Sequence, residues 1–276
     1  MRIGVYQNHS LFGQVDYNIE EAMESISRIN ADLMVMPELF NTGYQFISKK
    51  ELQSLAEDIP SGKTCQAMLE LAQKKDMFLV FGIAEKDQGH CYNSAVALGP
   101  QGFIGKYQKT HLFDNEKRFF DPGNSGFEVF DLGPAKIGIM ICFDWWFPEA
   151  ARVLALKGAQ IICHPSNLVL DHCQDAMRIR SLENGVFSLT SNRIGTEARG
   201  TNSPLTFTGQ SQIIDNKGQI LRRMKKTATG IVLANIDAKQ AINKKITPLN
   251  DRFKDRRPEF YQPLIKSNKP YEILPQ

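Results

Sequence analysis

The sequence predicts an α/β or α+β fold built around extensive β-sheet. Apolar segments of strand length alternate along the chain with segments of helical period. Two pairs of strand-like segments flank glycine-containing turns, at residues 99–102 and 215–218, and each pair predicts a β-hairpin. The chain shows no internal repeat, low-complexity linker or break in composition. One domain over residues 1–276, with a C-terminal arm from about residue 247 lying over the surface or a neighbouring subunit, is therefore the simplest interpretation.

The predicted strands are short apolar or alternating segments that end at turn-forming residues. They cover residues 3–7, 33–36, 77–83, 93–98, 102–107, 137–141, 159–163, 187–191, 211–214, 218–222 and 231–236. The predicted helices show apolar residues on one face, as Ile19, Met23 and Ile26 do in the first. They cover residues 18–30, 60–75, 148–158, 176–186 and 238–245.

Composition and charge exclude several classes of protein. The 276 residues are 42% hydrophobic and 23% charged, which is typical of a globular protein. A net charge of +3 is too small to indicate nucleic-acid binding. Basic residues between positions 244 and 257 alternate with acidic ones, which favours a solvated or inter-subunit ion-paired surface over a nucleic-acid site.

Cysteine usage and hydropathy predict a cytoplasmic location. Five cysteines, an odd number without the spacing of a disulfide framework, indicate a reducing compartment. The sequence has no apolar run of transmembrane length, and its first residues lack the apolar core of a signal peptide. We therefore expect neither a membrane nor a nucleic-acid partner.

The rest of the chain is organised around residues 136–152, KIGIMICFDWWFPEAAR. An apolar run over residues 137–141 predicts a buried strand, and Pro148 suits the first turn of a helix that Gly158 ends. Cys142 would then lie at the carboxyl end of a strand, where open α/β sheets place their chemistry. A cysteine beside a strand is ordinarily a small buried hydrophobe, so a functional role depends on other residues.

Two further strand ends carry reactive groups, Glu38 in LMVMPELFNTGY and Lys109 in IGKYQKTHLF. Either residue alone could be an ordinary surface charge. Together with Cys142 they are suited to form a catalytic triad, because a carboxylate can take the proton of a thiol. A nearby ammonium can stabilise both the thiolate and the oxyanion of a tetrahedral intermediate.

Three other patterns do not support a site. Residues 61–64, SGKT, resemble the end of a phosphate-binding loop, but Glu57 stands where that loop needs its first glycine. Neither a Cys-x-x-Cys pair nor a His-Glu-x-x-His helix is present to predict zinc. No Gly-x-Ser-x-Gly sequence is present to predict a serine hydrolase.

PELF after an apolar strand, GKYQKTHLF and ICFDWWFPEAAR resemble, in this order, the three signature regions of the nitrilase superfamily of carbon–nitrogen hydrolases. EKRFFDPGN, HPSNLV, RSLEN and FTGQSQI extend the resemblance over residue 1 to about residue 261. The resemblance implies a four-layer αββα sandwich of the nitrilase type. It also implies cofactor-free hydrolysis by a Glu–Lys–Cys triad, without a metal, and assembly into a homodimer or higher homo-oligomer.

The resemblance assigns a role to each matching residue. Glu38 matches the general base, Lys109 the oxyanion lysine and Cys142 the nucleophile. Glu116, in EKRFFDPGN, matches a second glutamate found in many members, and the backbone N–H of Phe143 would be the other oxyanion donor.

FDWWFPEAAR most resembles the aliphatic-amidase-like and N-carbamoylputrescine-hydrolase-like branches. Trp145 and Trp146 stand where members that hydrolyse N-carbamoyl amino acids carry arginines. Because an indole cannot pair with a carboxylate as a guanidinium does, this departure argues against anionic substrates. We take Trp145 and Asn167 as candidate substrate-binding residues.

We therefore expect a thiol hydrolase that converts small carboxamides to a carboxylic acid and ammonia through an acyl-enzyme on cysteine. Its partner would be a small amide, carbamoyl or nitrile substrate. Hydrolysis of N-carbamoyl amines or nitriles is the alternative, since those reactions use the same triad. Outside enzymes, the alternative is a non-catalytic binding protein on the same fold.

Overall fold

The structure, a computed structural model, describes residues 1–266. The chain divides into two compact units, Met1–Asn243 and the segment from Lys244 onward. The prediction of one domain with a C-terminal arm stays a prediction. None of the helices in the described part of the chain has the length and apolar character that crossing a bilayer requires.

The strands of the first unit form two large sheets and one small hairpin. They are β1 Arg2–Gln7, β2 Leu33–Val35, β3 Phe78–Asp87, β4 His90–Gly99, β5 Gly102–Gln108, β6 Val129–Asp131, β7 Lys136–Ile139, β8 Ile161–Pro165, β9 Phe187–Ser191, β10 Thr196–Glu197, β11 Leu205–Thr206, β12 Gln212–Ile214, β13 Ile220–Arg223 and β14 Gly230–Asn235. The α-helices are α1 Val15–Ser27, α2 Lys49–Leu55, α3 Lys63–Lys75, α4 Glu116–Phe119, α5 Pro148–Leu156 and α6 Cys173–Asn184. Short 3-10 helices lie at Cys142–Trp146 and Ala238–Ala241, and in the second unit at Pro258–Phe260 and Gln262–Leu264.

Each large sheet has six strands, in the orders β14-β1-β2-β3-β4-β5 and β13-β12-β9-β8-β7-β6. Three central strands of each sheet run parallel, and the flanking strands are antiparallel. Strands β1 and β2 pack against β8 and β9, so the two sheets lie face to face. Helices α1 and α3 pack on the first sheet, and α5 and α6 pack on the second. The predicted four-layer αββα sandwich is confirmed.

The pattern of buried residues explains why these layers assemble. Alternate residues of β3, such as Leu79, Phe81 and Ile83, point into one apolar cluster with Ile26 of α1 and Met68 of α3. Their side chains are fully or almost fully buried. The period of two along the strand and the helical period of α1 and α3 thus bury the same interface.

Several predicted elements have different ends in the structure. The predicted helix over residues 176–186 ends at Asn184, because Gly185 adopts a left-handed conformation with φ of 59°. The predicted helix over residues 238–245 is reduced to the 3-10 turn Ala238–Ala241. Ile242 is 66% exposed, so no apolar contact continues that helix. The predicted strands β3 and β4 are longer than expected, and the elements α2, α4, β6, β10 and β11 were not predicted.

Candidate active site

Glu38 lies three residues beyond the end of β2, where the chain passes close to β3. The N–H of Gly82 donates to the carbonyl of Pro37 (3.1 Å), and the N–H of Phe40 donates to the carbonyl of Gly82 (3.1 Å). A Cβ atom at position 82 would lie 2.5 Å from the Cα of Glu38. Glycine at position 82 therefore permits the approach that sets the Glu38 backbone, and the side chain of Glu38 is fully buried.

Lys109 lies directly after β5 and points into the same buried space. Its Nζ donates to Oε1 of Glu38 (2.7 Å) and to Oε1 of Glu116 (2.8 Å). The side chains of Lys109 and Glu38 are 0% exposed, and that of Glu116 is 4% exposed. One ammonium is thus buried between two carboxyl groups. An isolated charge at such a buried position would be strongly destabilising, and the two ion pairs offset that cost.

Glu116, the first residue of α4, is held by three donors. Besides Lys109, the hydroxyl of Tyr44 donates to Oε1 (2.7 Å) and the N–H of Phe113 donates to Oε2 (3.0 Å). Tyr44 is itself fixed, since its N–H donates to the carboxylate of Glu197 at 3.1 Å. The structure therefore places Glu116 within the buried cluster and not on a solvated loop.

Cys142 begins a 3-10 helix just beyond the end of β7 and has a left-handed φ of 40°. Its carbonyl oxygen lies 2.9 Å from Nε2 of His164, which donates to it. Burial lowers the pKa of His164 to about 4, so the imidazole is neutral. The left-handed φ of Cys142 is a form of backbone strain. Backbone strain of this kind persists only where surrounding contacts fix it, and it is common at reactive residues.

Asn167 connects the nucleophile candidate with the base candidate. Its Nδ2 donates to the backbone carbonyl of Glu38 (2.9 Å), and its backbone N–H donates to the thiol of Cys142. The structure therefore brings Asn167 to the site, where its amide nitrogen holds the Glu38 backbone.

The two oxygens of the Glu38 carboxylate have different surroundings. Oε1 accepts from Nζ of Lys109 and from Nδ2 of Asn93, each at 2.7 Å. Oε2 is buried and has no hydrogen-bond partner among residues 1–266. A buried oxygen that accepts no hydrogen bond is costly in a folded protein. The unpaired Oε2 of Glu38 therefore points to a role in the chemistry, as a proton acceptor.

Burial and charge set the protonation states of the cluster. Burial raises the pKa of Glu38 to about 6, with Lys109 opposing the increase. Burial and the charge of Glu38 raise the pKa of the Cys142 thiol well above its usual range, against the opposing effect of Lys109. Burial alone would lower the pKa of Lys109, but the carboxylates of Glu116 and Glu38 outweigh it and raise that pKa. At neutral pH the site therefore holds a thiol, an ammonium and a carboxylate able to accept a proton.

A pocket of about 230 Å³, including open solvent, lies beside Cys142. Its other walls are Phe113, Phe143, Trp145, Asn167, Leu168, Val169 and Leu170. Trp145 is 5% exposed, whereas Trp146 is 49% exposed and is not among these walls. Of the two tryptophans singled out in the sequence, only Trp145 faces the candidate substrate space. Within residues 1–266, His, Cys, Asp and Glu form no group of three or more suited to a metal ion.

Sequence reasoning missed four buried residues that shape the site. They are Tyr44, Asn93, Asp144 and His164. Asn93 was detectable in principle, because a polar residue within the apolar strand CYNSAVALG needs a buried partner. Tyr44 carries no comparable local signal, since its partner Glu116 lies 72 residues away along the chain, and the contacts of Asp144 with Tyr107 and His111 are also distant in sequence.

Comparison with protein families shows which family this chain belongs to. Residues 2–245 match the sequence model of the carbon-nitrogen hydrolase family. The chain belongs to this family, within the nitrilase superfamily. It is a hydrolase of carbon–nitrogen bonds.

Three similar proteins support this membership. A protein of Pyrococcus abyssi named nitrilase is 49% identical over 88% of this chain and 90% of its own length. An N-carbamoylputrescine amidase of Solanum lycopersicum is 31% identical over 89% of this chain and 88% of its own length. The crystal structure of a carbon-nitrogen hydrolase from Helicobacter pylori G27 superposes with a TM-score of 0.87 at 28% identity, covering 96% of this chain and 98% of that one.

Proposed function

We propose that this carbon–nitrogen hydrolase converts small uncharged carboxamides to a carboxylic acid and ammonia through an acyl-enzyme on Cys142. The observation that carries the proposal is the buried cluster of Glu38, Lys109 and Glu116 next to a buried cysteine. Within this cluster, Oε2 of Glu38 has no hydrogen-bond partner in the described chain. It is therefore free to accept the proton of the thiol.

The first half-reaction forms a thioester. Glu38 takes the thiol proton while Sγ of Cys142 attacks the amide carbon, and the carbonyl oxygen becomes an oxyanion. Nζ of Lys109 and the backbone N–H of Phe143 stabilise this oxyanion. The C–N bond then breaks, and Glu38 gives its proton to the leaving nitrogen, which departs as ammonia.

The second half-reaction regenerates the enzyme. Glu38 takes a proton from water, and the hydroxide formed attacks the thioester carbon. The same oxyanion donors stabilise the second tetrahedral intermediate. The C–S bond breaks, the carboxylic acid leaves, and the thiolate recovers its proton from Glu38.

Glu116 supports this chemistry by holding Lys109. Burial alone would favour the neutral amine of Lys109, and the negative charge of Glu116 opposes that effect. The donors Lys109, Tyr44 and Phe113 already occupy both oxygens of Glu116. We therefore assign Glu116 to keeping Lys109 charged and aimed at the oxyanion.

The pocket walls support an uncharged substrate. None of the side chains that line the pocket beside Cys142 carries a formal charge at neutral pH. A substrate carboxylate would lose its hydration there without gaining a cationic partner. This desolvation costs on the order of several kcal/mol. Small aliphatic amides avoid this cost, because Phe113, Trp145 and Leu168 provide apolar contact.

Two alternative substrates are suggested by the relatives that this chain resembles. The name nitrilase of the Pyrococcus abyssi protein favours nitriles, and the name of the Solanum lycopersicum protein favours carbamoyl amines. Ammonia release should be measured over aliphatic amides, carbamoyl amines, nitriles and glutamine, with Cys142→Ala as the control. The highest kcat/KM for neutral aliphatic amides is expected. A higher value for another class would replace the substrate, and no release from any class would favour a binding protein.

We also propose a homodimer in a reducing compartment such as the cytoplasm. All five cysteines are free and buried in the structure, which fits an environment without disulfide formation.

The proposal of a homodimer rests on membership in the superfamily. Sedimentation of the active enzyme at assay concentration should show at least a dimer, and a stable active monomer would contradict it.

A further inference from the structure

Asp144 is a fully buried carboxylate that the proposed chemistry does not use. It lies in the same 3-10 turn as Cys142. Its Oδ2 accepts from the N–H of Ile141 (2.8 Å) and from the hydroxyl of Tyr107 (2.8 Å). Its Oδ1 accepts from the N–H of His111 (3.3 Å) and from Nδ1 of the same residue (2.7 Å).

These donors come from two segments that carry different reactive groups. Ile141 directly precedes Cys142, whereas Tyr107 and His111 lie on either side of Lys109. The hydroxyl of Tyr107 also accepts the N–H of Thr110 (3.0 Å), the residue that follows Lys109. Asp144 therefore ties residues on both sides of Lys109, the hydroxyl of Tyr107 and the backbone and ring of His111, to the turn that presents Cys142.

A ring contact provides a second tie between the same two segments. The imidazole of His111 stacks on the ring of Phe147, with centroids 3.8 Å apart and planes at 15°. Phe147 directly follows the 3-10 turn of Cys142. His111 is thus fixed to this turn through Oδ1 of Asp144 and through Phe147.

We propose that Asp144 is a positioning residue that aligns the Lys109 ammonium with the carbonyl group that Cys142 attacks. This inference rests on the proposed function of the site. A donor must lie where the oxyanion develops, and small misplacements of reacting groups cost large factors in rate. A carboxylate suits this position because each of its oxygens accepts two hydrogen bonds. An amide cannot do the same, since its NH₂ group would face two donors in either orientation.

The test compares amide turnover with the reactivity of the thiol. Alkylation by iodoacetamide displaces iodide from a saturated carbon, so it needs the Cys142 nucleophile but forms no oxyanion. In Asp144→Asn we expect kcat for a neutral amide to fall about 10²-fold, while KM and the alkylation rate of Cys142 stay within about threefold. Asp131→Asn is the matched control, because Asp131 is exposed and its Oδ1 also accepts a backbone N–H, that of Gly133 (2.9 Å).

Tyr107→Phe is the second variant; it removes one donor to Asp144 and, with the same hydroxyl, the acceptor of the Thr110 N–H. We expect kcat to fall about tenfold in the wild-type background. Combining it with Asp144→Asn should add little further loss, because both changes break the same connection. If Asp144→Asn does not fold, Tyr107→Phe decides alone, by the same comparison of turnover with alkylation.

Three results would overturn the positioning role. They are unchanged kcat in both variants, a parallel loss of kcat and alkylation, and fully additive losses in the double variant. The wild type separates this inference from the proposed function. If wild type hydrolyses neutral amides but the variants give any of these three contradicting results, only the role of Asp144 fails. If wild type hydrolyses no amide, the proposed function fails first.

Discussion

Nζ of Lys109 lies 2.7 Å from Oε1 of Glu38, and neither side chain is exposed to solvent. The proposed base and the proposed oxyanion donor are thus in direct contact. The positive charge of Lys109 limits the rise in the pKa of Glu38, and the negative charge of Glu38 helps to raise the pKa of Lys109. Changing either residue therefore alters the protonation of the other.

The acid limb of the pH profile should report Glu38. Burial raises its pKa to about 6, and only the deprotonated carboxylate can take the thiol proton. The value of kcat/KM should therefore be full above this pKa and fall as the pH drops through it. Glu116→Gln removes a negative charge that raises the pKa of Glu38, so the limb should move to lower pH. A limb that stays in place in this variant would show that another group controls it.

Removing the Glu116 side chain should slow turnover without unfolding the protein. Glu116→Ala should lower kcat by about 10²-fold or more, because Lys109 loses a charged partner and its aim. Glu116→Asp should also be impaired, since the shorter side chain displaces the carboxylate. Glu70→Ala, at an exposed position of α3, is the control. Turnover of Glu116→Ala within about threefold of wild type, under about 1 kcal/mol, would remove Glu116 from the site.

Tyr44→Phe should weaken the same carboxylate by one hydrogen bond. The hydroxyl of Tyr44 donates to Oε1 of Glu116 at 2.7 Å, and its loss leaves that oxygen with Lys109 alone. We expect kcat to fall about tenfold, in keeping with one buried hydrogen bond to a charged group. Tyr17→Phe is the matched control, because Tyr17 is 50% exposed. Equal kinetics of the two variants would contradict the role of Tyr44.

Charge on the substrate should reduce its hydrolysis. Butyramide and succinamate differ by exchange of a methyl group for a carboxylate, and the pocket walls beside Cys142 offer no cationic side chain. We expect kcat/KM to be at least about 10²-fold higher for butyramide, because the carboxylate would be desolvated without a partner. N-carbamoyl amino acids should be disfavoured for the same reason. Equal or better use of the anionic substrates would show that the interpretation of Trp145 is wrong.

The sequence allowed the strand ends of the site to be predicted, because each reactive residue follows a recognisable apolar strand. Glu38, Lys109 and Cys142 were singled out in this way, the resemblance to a family added Glu116, and their catalytic roles stay predictions. Their fixing partners were not found, because they act over long separations. Asn93 lies 55 residues from Glu38 along the chain, and Tyr44 lies 72 residues from Glu116. Such contacts depend on the packing of the sheets.

Helix ends show the same limit at a smaller scale. The predicted helix over residues 176–186 ran past Gly185, although a left-handed glycine ends it in the structure. The stop at Gly158 was predicted correctly: α5 ends at Leu156, and Gly158 has a φ of 96°. Each of these glycines has a positive φ just past the end of a helix, so a left-handed glycine is the local stop in both cases.

The most direct test of the account is to identify the residue that carries the acyl group. Wild-type protein should be quenched during hydrolysis of a slow neutral amide, and its peptides should be analysed by mass spectrometry. We expect one acyl adduct, on Cys142, and none in Cys142→Ala. An adduct on Cys65, Cys91, Cys163 or Cys173 with none on Cys142, or turnover that persists in Cys142→Ala, would contradict the account.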